Sequence, residues 1–473
     1  MTKNRTLLPS TNRLAFCMRH ILVFAFILFG PSPSFAQASA TSRAPLRPNI
    51  LVLIIDEPGM NRIAIDQSHP DKDKTPHLHA LATGGIRFDH TYASPKSGPS
   101  QLSLLTGRYS FRSREKRDHL SRQSIKLTRQ PVSFATQLRD AGYKTAIAGT
   151  WHIGHIVDEG DRLSTVPPWG FDHRLVSKAP SETDTSPISL DRYTNFLIHF
   201  IETEHKKGSE STSPWLAFYS LQNGSPSESK PTKSPLQINE SHSKRQSPAD
   251  RALGKLVGSL DRLMLRENTL IIWIGQNAPI HGATILPTVP TSDAAGQGNH
   301  GLNDTATRVS FIANWPGCIK AGARSQALVD MCDIFPTCIE LAGAKLPSDH
   351  VIDGKNMLPV LRGYDVAGRD WVWCESQSKW WIRTQDWKLY NDGTLFDMKS
   401  EPKEASPISP YSDSSIASQM RQWLHSSAQN LLKDKGKSLW IKNGIKKVQK
   451  VPFVSQNFKG VLPQLCPSCF NFG

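Results

Sequence analysis

The chain has 473 residues, 38% of them hydrophobic and 21% charged, which is enough apolar material for a large globular core. That length suits one large domain with a smaller companion. The formal net charge of +15 fits either a solvated basic surface or attraction to a sulfated or carboxylated polysaccharide.

The N-terminus reads as a removable export signal over 1–36. Basic Lys3, Arg5, Arg13 and Arg19 precede the apolar run "ILVFAFILFG", and small residues suited to cleavage after Ala36 follow it. The run is too short to span a bilayer, and no later segment approaches transmembrane length, so a soluble, secreted or periplasmic protein is expected. Cys17 lies on the wrong side of the run for a lipid anchor. Export also argues against nucleic acid as a partner.

A linker over 37–47 leads into "NILVLIIDEPG", an unbroken apolar run ending in two acids. It reads as a buried parallel strand whose C-terminal end presents carboxylates, the end where open α/β sheets place ligands. "SFATQLRDAGYKTAIAGTWHIG" reads as helix, glycine turn and strand, with Phe134 and Leu138 on one helical face. "PWLAFYSLQ" is a further strand, 223–250 a long Ser/Pro/Lys-rich surface loop, and "RALGKLVGSLDRLMLRENTLIIWIGQN" another helix-to-strand unit. "RVSFIANWPG" adds a strand. The alternation predicts a mostly parallel sheet covered on both faces, in a domain spanning 48–350.

From Trp371 to Met398 alternating aromatics broken by "NDG" predict an antiparallel hairpin sheet, within a subdomain set at 351–425. A basic tail, 426–473, follows. The mature cysteines, Cys318, Cys332, Cys338, Cys374, Cys466 and Cys469, form an even set that an oxidising compartment would allow to pair. Buried free thiols for the central three fit equally well. The terminal "CPSC" could be a redox pair or a metal half-site, but a lone pair with no partner ligands favours a local disulfide or no special role.

"PNILVLIIDE", "TPHLHALATGGIRFDHTYA", "GPSQLSLLTGRY", "AGYKTAIAGTWHIGH", "NTLIIWIGQN", "TRVSFIANWPG", "DIFPTCIELAGAKLP" and "WIRTQDWKLYNDGTLFDMKSEP" occur in the order seen in type I sulfatases, and the chain from Pro48 to Pro402 resembles that family. The resemblance implies an alkaline-phosphatase-like α/β sandwich with a small C-terminal sheet. It also implies sulfate ester hydrolysis by a formylglycine beside calcium, often on glycans.

Aligned on "LTGR", the family's nucleophile position falls on Ser97, and Gln101 stands where the family has arginine. A plain serine needs a base, a metal or conversion to an aldehyde hydrate, and without the arginine conversion of Ser97 to formylglycine is doubtful. A serine capping the helix that "SQLSLLTG" begins is the simpler reading of Ser97 and ranks ahead of covalent catalysis. The calcium positions fall on Asp56, Glu57, Gln276 and Asn277, all oxygen donors but with less charge than the family's set, which weakens the ion. His152 matches the family's histidine, while Thr150 replaces its sulfate-gripping lysine. Asn299 stands where another lysine is usual, with His300 beside it and His281 nearby as substitutes, and Ser225 falls where the family has a histidine.

The expected function is that of an exported sulfuric ester hydrolase acting on sulfated carbohydrate, with activity in question because several reagents are replaced. A catalytically silent relative binding a glycan or protein is the alternative, and a phosphate ester hydrolase of the wider superfamily comes third.

Overall fold

The computed structural model describes residues 47–56, 75–113, 132–153, 169–178, 187–207, 213–222, 247–277, 302–348, 350–364, 368–376, 378–412 and 414–433. The export signal, most of the expected loop over 223–250 and nearly all of the basic tail lie outside them. The elements in chain order are β1 (Asn49–Asp56), α1 (Pro76–Thr83), β2 (Ile86–Tyr92), α2 (Ser97–Thr106), α3 (Phe134–Asp140), β3 (Lys144–Trp151), β4 (His173–Lys178), α4 (Pro187–Lys206), β5 (Trp215–Gln222), α5 (Pro248–Arg262) and β6 (Thr269–Asn277). They continue with α6 (Asp304–Thr307), β7 (Arg308–Asn314), β8 (Ala323–Asp330), α7 (Ile334–Ala342), α8 (Leu358–Leu361), β9 (Val372–Ser376), β10 (Lys379–Arg383), β11 (Trp387–Tyr390), β12 (Leu395–Asp397) and α9 (Ser415–Lys433).

The large sheet has the order β4-β3-β5-β1-β6-β7-β2-β8. It is parallel except for β7, which runs against both β6 and β2. Parallel strands buried on both faces need apolar side chains at every position, which is why β1 reads as a continuous run. Its odd and even positions serve two different cores. Ile50, Val52 and Ile54 pack with Leu102 and Leu105 of α2, Phe134 of α3 and Ile334 of α7. Leu51, Leu53 and Ile55 pack with Leu81 of α1, Leu197 of α4 and Leu256 of α5. Each fully buried Leu or Ile contributes about 1.5–3 kcal/mol.

Local signals set the helices on this second face. α5 starts at Pro248, inside the stretch expected as loop, and buries Ala249, Ala252, Leu253, Leu256 and Leu260 on one stripe. Its buried Asp250 accepts from the backbone N–H of His77 at 3.3 Å and of Leu78 at 2.7 Å. A carboxylate from a neighbouring helix thus serves the first turn of α1, where Thr75 provides no side-chain cap.

The smaller sheet, ordered β12-β11-β10-β9, is antiparallel throughout, as the aromatic alternation predicts. One face carries Trp373, Ile382, Leu389 and Leu395 against Ala417, Leu424 and Leu431 of α9. The other carries Val372, Trp381, Tyr390 and Phe396 against Tyr92 and Leu328 of the large sheet. α9 continues past 425, the residue at which the sequence reading ends this subdomain. Cys332, Cys338 and Cys374 are buried free thiols. No helix among the described residues is long and apolar enough to cross a membrane.

Candidate active site

The site forms where β1, β3, β5 and β6 end and α2 begins. Asp56 pairs in register with Gln222 of β5 on one side and with Asn277 of β6 on the other. The β1–β6 register steps from Ile55↔Gly275 to Asp56↔Asn277, so Gln276 is the extra residue of a bulge. The bulge leaves the Gln276 side chain fully buried, and neither its amide oxygen nor its amide nitrogen has a hydrogen-bond partner among the described residues.

α2 arrives from the other side. Ser97 is its first residue and Lys96 its N-cap, so the serine stands in the first turn and does not occupy the capping position. Ser100 closes that turn by donating to the carbonyls of Ser94 at 3.1 Å and Lys96 at 3.2 Å. A helix start presents backbone N–H groups that favour an anion. At the far end the Gly107 carbonyl accepts from the N–H groups of Asp353 at 2.9 Å and Gly354 at 3.0 Å. Asp353 also forms a buried two-point pair with Arg112 at 2.7 Å and accepts from the Tyr109 N–H at 2.8 Å, so both sides of the "LTGRY" segment are pinned.

Gln101 joins α2 to the strand ends. It is fully buried; its Nε2 donates to Ser220 Oγ at 3.2 Å and to the Thr150 carbonyl at 3.4 Å, while its Oε1 accepts from the His152 N–H at 2.9 Å. At an arginine position of the aligned family, this chain therefore has a neutral strut between helix and sheet. Two glycines permit the approach. A Cβ at Gly98 would lie 2.8 Å from the His152 carbonyl oxygen, and one at Gly149, where φ is +100°, would lie 2.0 Å from the Ser220 carbonyl oxygen.

Of the residues assigned from sequence, Ser97, Gln101, Thr150 and His152 come together in this way, and the backbones of Asp56, Gln276 and Asn277 come together at the ends of β1 and β6. Thr150 is buried and His152 half-buried. The side chains of Asp56 and Asn277, and all of Glu57, Ser225, His281, Asn299 and His300, lie outside the described residues. Ser220 and Gly98 were not singled out by sequence reasoning. Gly98 carried a signal, a glycine directly after the nucleophile position, whereas Ser220 looks like any strand residue.

Calcium requires a cage of hard oxygen atoms. The buried, unpartnered amide oxygen of Gln276 fits that demand, and it sits beside the paired Asp56 and Asn277 positions. No group of three His, Cys, Asp or Glu residues converges among the described residues. Of the positions assigned to a cation from the sequence, Gln276 is the one whose side chain is described, and its amide oxygen suits a hard cation while adding no negative charge.

Behind α2 lies a buried ionic cluster. Arg369 pairs with Asp333 at 2.8 Å, donates to the Tyr109 hydroxyl at 2.8 Å and to the Asp353 carbonyl at 2.8 Å. Burial pushes the nearby Asp330 carboxyl up to about 7 against the opposing pull of Arg369, and it raises Asp333 as well. A second cluster fastens the small sheet to the large one. Fully buried Lys388 reaches Asp304 at 3.1 Å and Glu404 at 2.8 Å, under the rings of Trp381 and Tyr390. Arg383 pairs with the same Asp304 at 2.7 Å. Burial pushes the Asp304 carboxyl up, but Lys388 and Arg383 outweigh it and hold the group well below the usual carboxylate range.

Comparison with known proteins agrees with this architecture. The family profile described as Sulfatase matches residues 48–344, and that of the N-sulphoglucosamine sulphohydrolase C-terminal region matches 300–433. The chain is 26% identical over 411 residues to N-acetylgalactosamine-6-sulfatase of Mus musculus, covering 75% of this chain and 76% of the relative. It is 28% identical over 408 residues to arylsulfatase G of Mus musculus, covering 72% and 73%. The PsFucS1 sulfatase from Pseudoalteromonas sp. superposes with a TM-score of 0.59 at 20% identity, over 91% of this chain and 96% of that one. A protein solved with its substrate D-glucosamine-2-N,6-O-disulfate superposes with a TM-score of 0.60 at 20% identity, over 82% and 99%. The fold is alkaline-phosphatase-like.

Proposed function

The chain belongs to the sulfatase family, and on that premise we propose that it is an exported protein that takes sulfate esters of carbohydrate into the cleft at the C-terminal edge of its large sheet and hydrolyses them slowly. Support for sulfated carbohydrate comes from relatives and neighbours whose names or bound substrates are sulfated sugars. Support for export comes from the N-terminal sequence.

The observation that carries the reduced rate is the Gln101 side chain, buried and hydrogen-bonded on both amide ends to the scaffold. It holds α2 in place yet offers a sulfate no positive charge. Thr150, also buried, replaces a cation with a hydroxyl. Each cation contact missing from the developing sulfate charge costs a few kcal/mol in the transition state. What the chain retains is the first turn of α2 to receive the anion, Ser97 at the nucleophile position, and His152, whose backbone Gln101 holds close to that turn. A calcium ion held by Asp56, Gln276, Asn277 and the adjoining Glu57 would supply charge stabilisation at the sulfate oxygens.

A second reading rests on the same clamp. With neutral groups serving the scaffold at the charged positions, the cleft suits glycan binding without turnover. The two readings separate by comparing hydrolysis of 4-methylumbelliferyl sulfate by the wild type and by Ser97→Ala, with mass analysis of the Ser97 peptide. Turnover above the variant's background supports the slow hydrolase. Background-level turnover with retained binding of a sulfated oligosaccharide supports the binding protein.

A further inference from the structure

At the opposite edge of the large sheet, a cleft of about 550 Å³ opens between α1, α5 and the β7–β8 connection. Leu81, Val257 and Ile319 give it apolar walls, and His77, Arg266 and Asn314 give it polar ones. Arg266 precedes β6, whose nine residues end at Asn277. At about 3.3 Å per residue the cleft therefore lies about 25 Å from the candidate active site.

Arg266 is its distinctive group. One guanidinium nitrogen, Nη2, donates to Asn314 Oδ1, and Asn314 is held in turn by its own donation to the Leu81 carbonyl at 2.8 Å. The other, Nη1, is buried and makes no hydrogen bond among the described residues. Among the described residues no carboxylate lines the cleft. Burial lowers the pKa of Arg266, and exposed Asp261 opposes that shift only in part. A half-buried guanidinium fixed in direction, with only the exposed Asp261 as a counter-charge among the described residues, gains from an anion that brings its own acceptor oxygens. The flanking apolar walls favour an anion carried on an apolar body.

We propose that this cleft is a second binding site, separate from the candidate active site, for a small organic monoanion whose charged group pairs with the Arg266 guanidinium and whose apolar body lies along Leu81, Val257 and Ile319. The proposal is independent of how, or whether, the chain turns over sulfate esters.

The test is calorimetric titration of the full chain with 2-naphthoate and with its neutral analogue 2-naphthamide. Naphthoate should bind at one site at least tenfold more tightly than the amide. Arg266→Met should weaken naphthoate at least tenfold, and Arg266→Lys should recover part of the loss. Ala80 is exposed on the cleft wall, so Ala80→Trp should block the cleft without touching the core and should also weaken binding at least tenfold. Ser97→Ala and added inorganic sulfate should leave binding unchanged. Absence of naphthoate binding, equal binding of the amide, or an affinity within twofold of wild type in a folded Arg266→Met or Ala80→Trp protein would each overturn the proposal.

Discussion

The backbone N–H of His152 donates to Oε1 of Gln101 across 2.9 Å, while the amide nitrogen of the same glutamine holds Ser220 and the Thr150 carbonyl. One buried side chain four residues beyond Ser97 therefore sets the position of the helix start relative to two strand ends. Helix and histidine move together or not at all.

Gln101→Leu keeps the volume and removes these bonds, leaving buried donors and acceptors without partners. The expected loss is about 1–3 kcal/mol of stability. Urea unfolding monitored by tryptophan fluorescence measures it, and a change within error of zero would show that the clamp is dispensable.

The two glycines at the helix–sheet contact should respond unequally. Gly149→Ala places Cβ 2.0 Å from a backbone oxygen in a left-handed conformation, and should cost more than about 2 kcal/mol. Gly98→Ala meets the His152 carbonyl oxygen at 2.8 Å and should cost about 1 kcal/mol by shifting the first turn of α2. The same unfolding series ranks the pair, and a reversed order would contradict the contact geometry.

Lys388 neutralises two acids inside an aromatic box. Lys388→Met leaves Asp304 sharing Arg383 and Glu404 without its cation, and should destabilise by about 3–5 kcal/mol, as removal of one partner from a buried ion pair does. Because the cluster joins the two sheets, separate fluorescence and circular-dichroism transitions are expected in the variant where the wild type shows one.

Stability should also depend on pH through Asp330. Its carboxyl sits at about 7 in the folded chain against an ordinary value of 3.8, so between those values the folded state keeps a proton that the unfolded state has released. This group's contribution is complete below about 4, falls as pH rises towards about 7, and then levels off. Asp333, also raised, acts with the same sign. Asp304 acts oppositely, but its loss comes only at more acid pH, as its depressed carboxyl protonates. His90, lowered to about 4 mainly by burial, and His350, also lowered by burial, act the other way over the same window, so the check is the difference between proteins: from pH 4 to 8 the melting temperature should rise more, or fall less, with pH in Asp330→Asn than in the wild type.

In the proposed calcium site Gln276 would supply a neutral oxygen where a carboxylate would bind the ion more strongly. Added calcium should raise the melting temperature, and Gln276→Asp should reach half of its own rise at a concentration at least tenfold lower than the wild type. Equal calcium dependence of the two proteins would separate Gln276 from any cation site.

The elements legible in the sequence were those whose environment is uniform along the chain. β1 is buried on both faces and reads as a solid apolar run, and the β9–β12 sheet declares itself through alternating aromatics around "NDG". The site's outline was legible because adjacent strand ends and the start of α2 converge in this fold. What could not be read were pairings that depend on residues far apart. Nothing in "RVSFIANWPG" tells whether β7 runs with or against β6, since both orientations bury it equally. Asp250 looks like a first-turn acid of its own helix, yet it serves α1. Gln101 reads as a lost cation until Ser220, more than a hundred residues away, supplies its partner.

The Gly107 carbonyl, held by the two amides of Asp353 and Gly354, bears on how this protein can be trimmed. A fragment ending at 344, where the first family profile stops, would contain every assigned site residue yet lack both donors and the Arg369 guanidinium that fills the space behind Tyr109. The tip that carries Ser97 would then be anchored at one end only. Any shortened version meant for screening or crystallisation has to retain the segment through 370, although that segment contributes no reagent of its own.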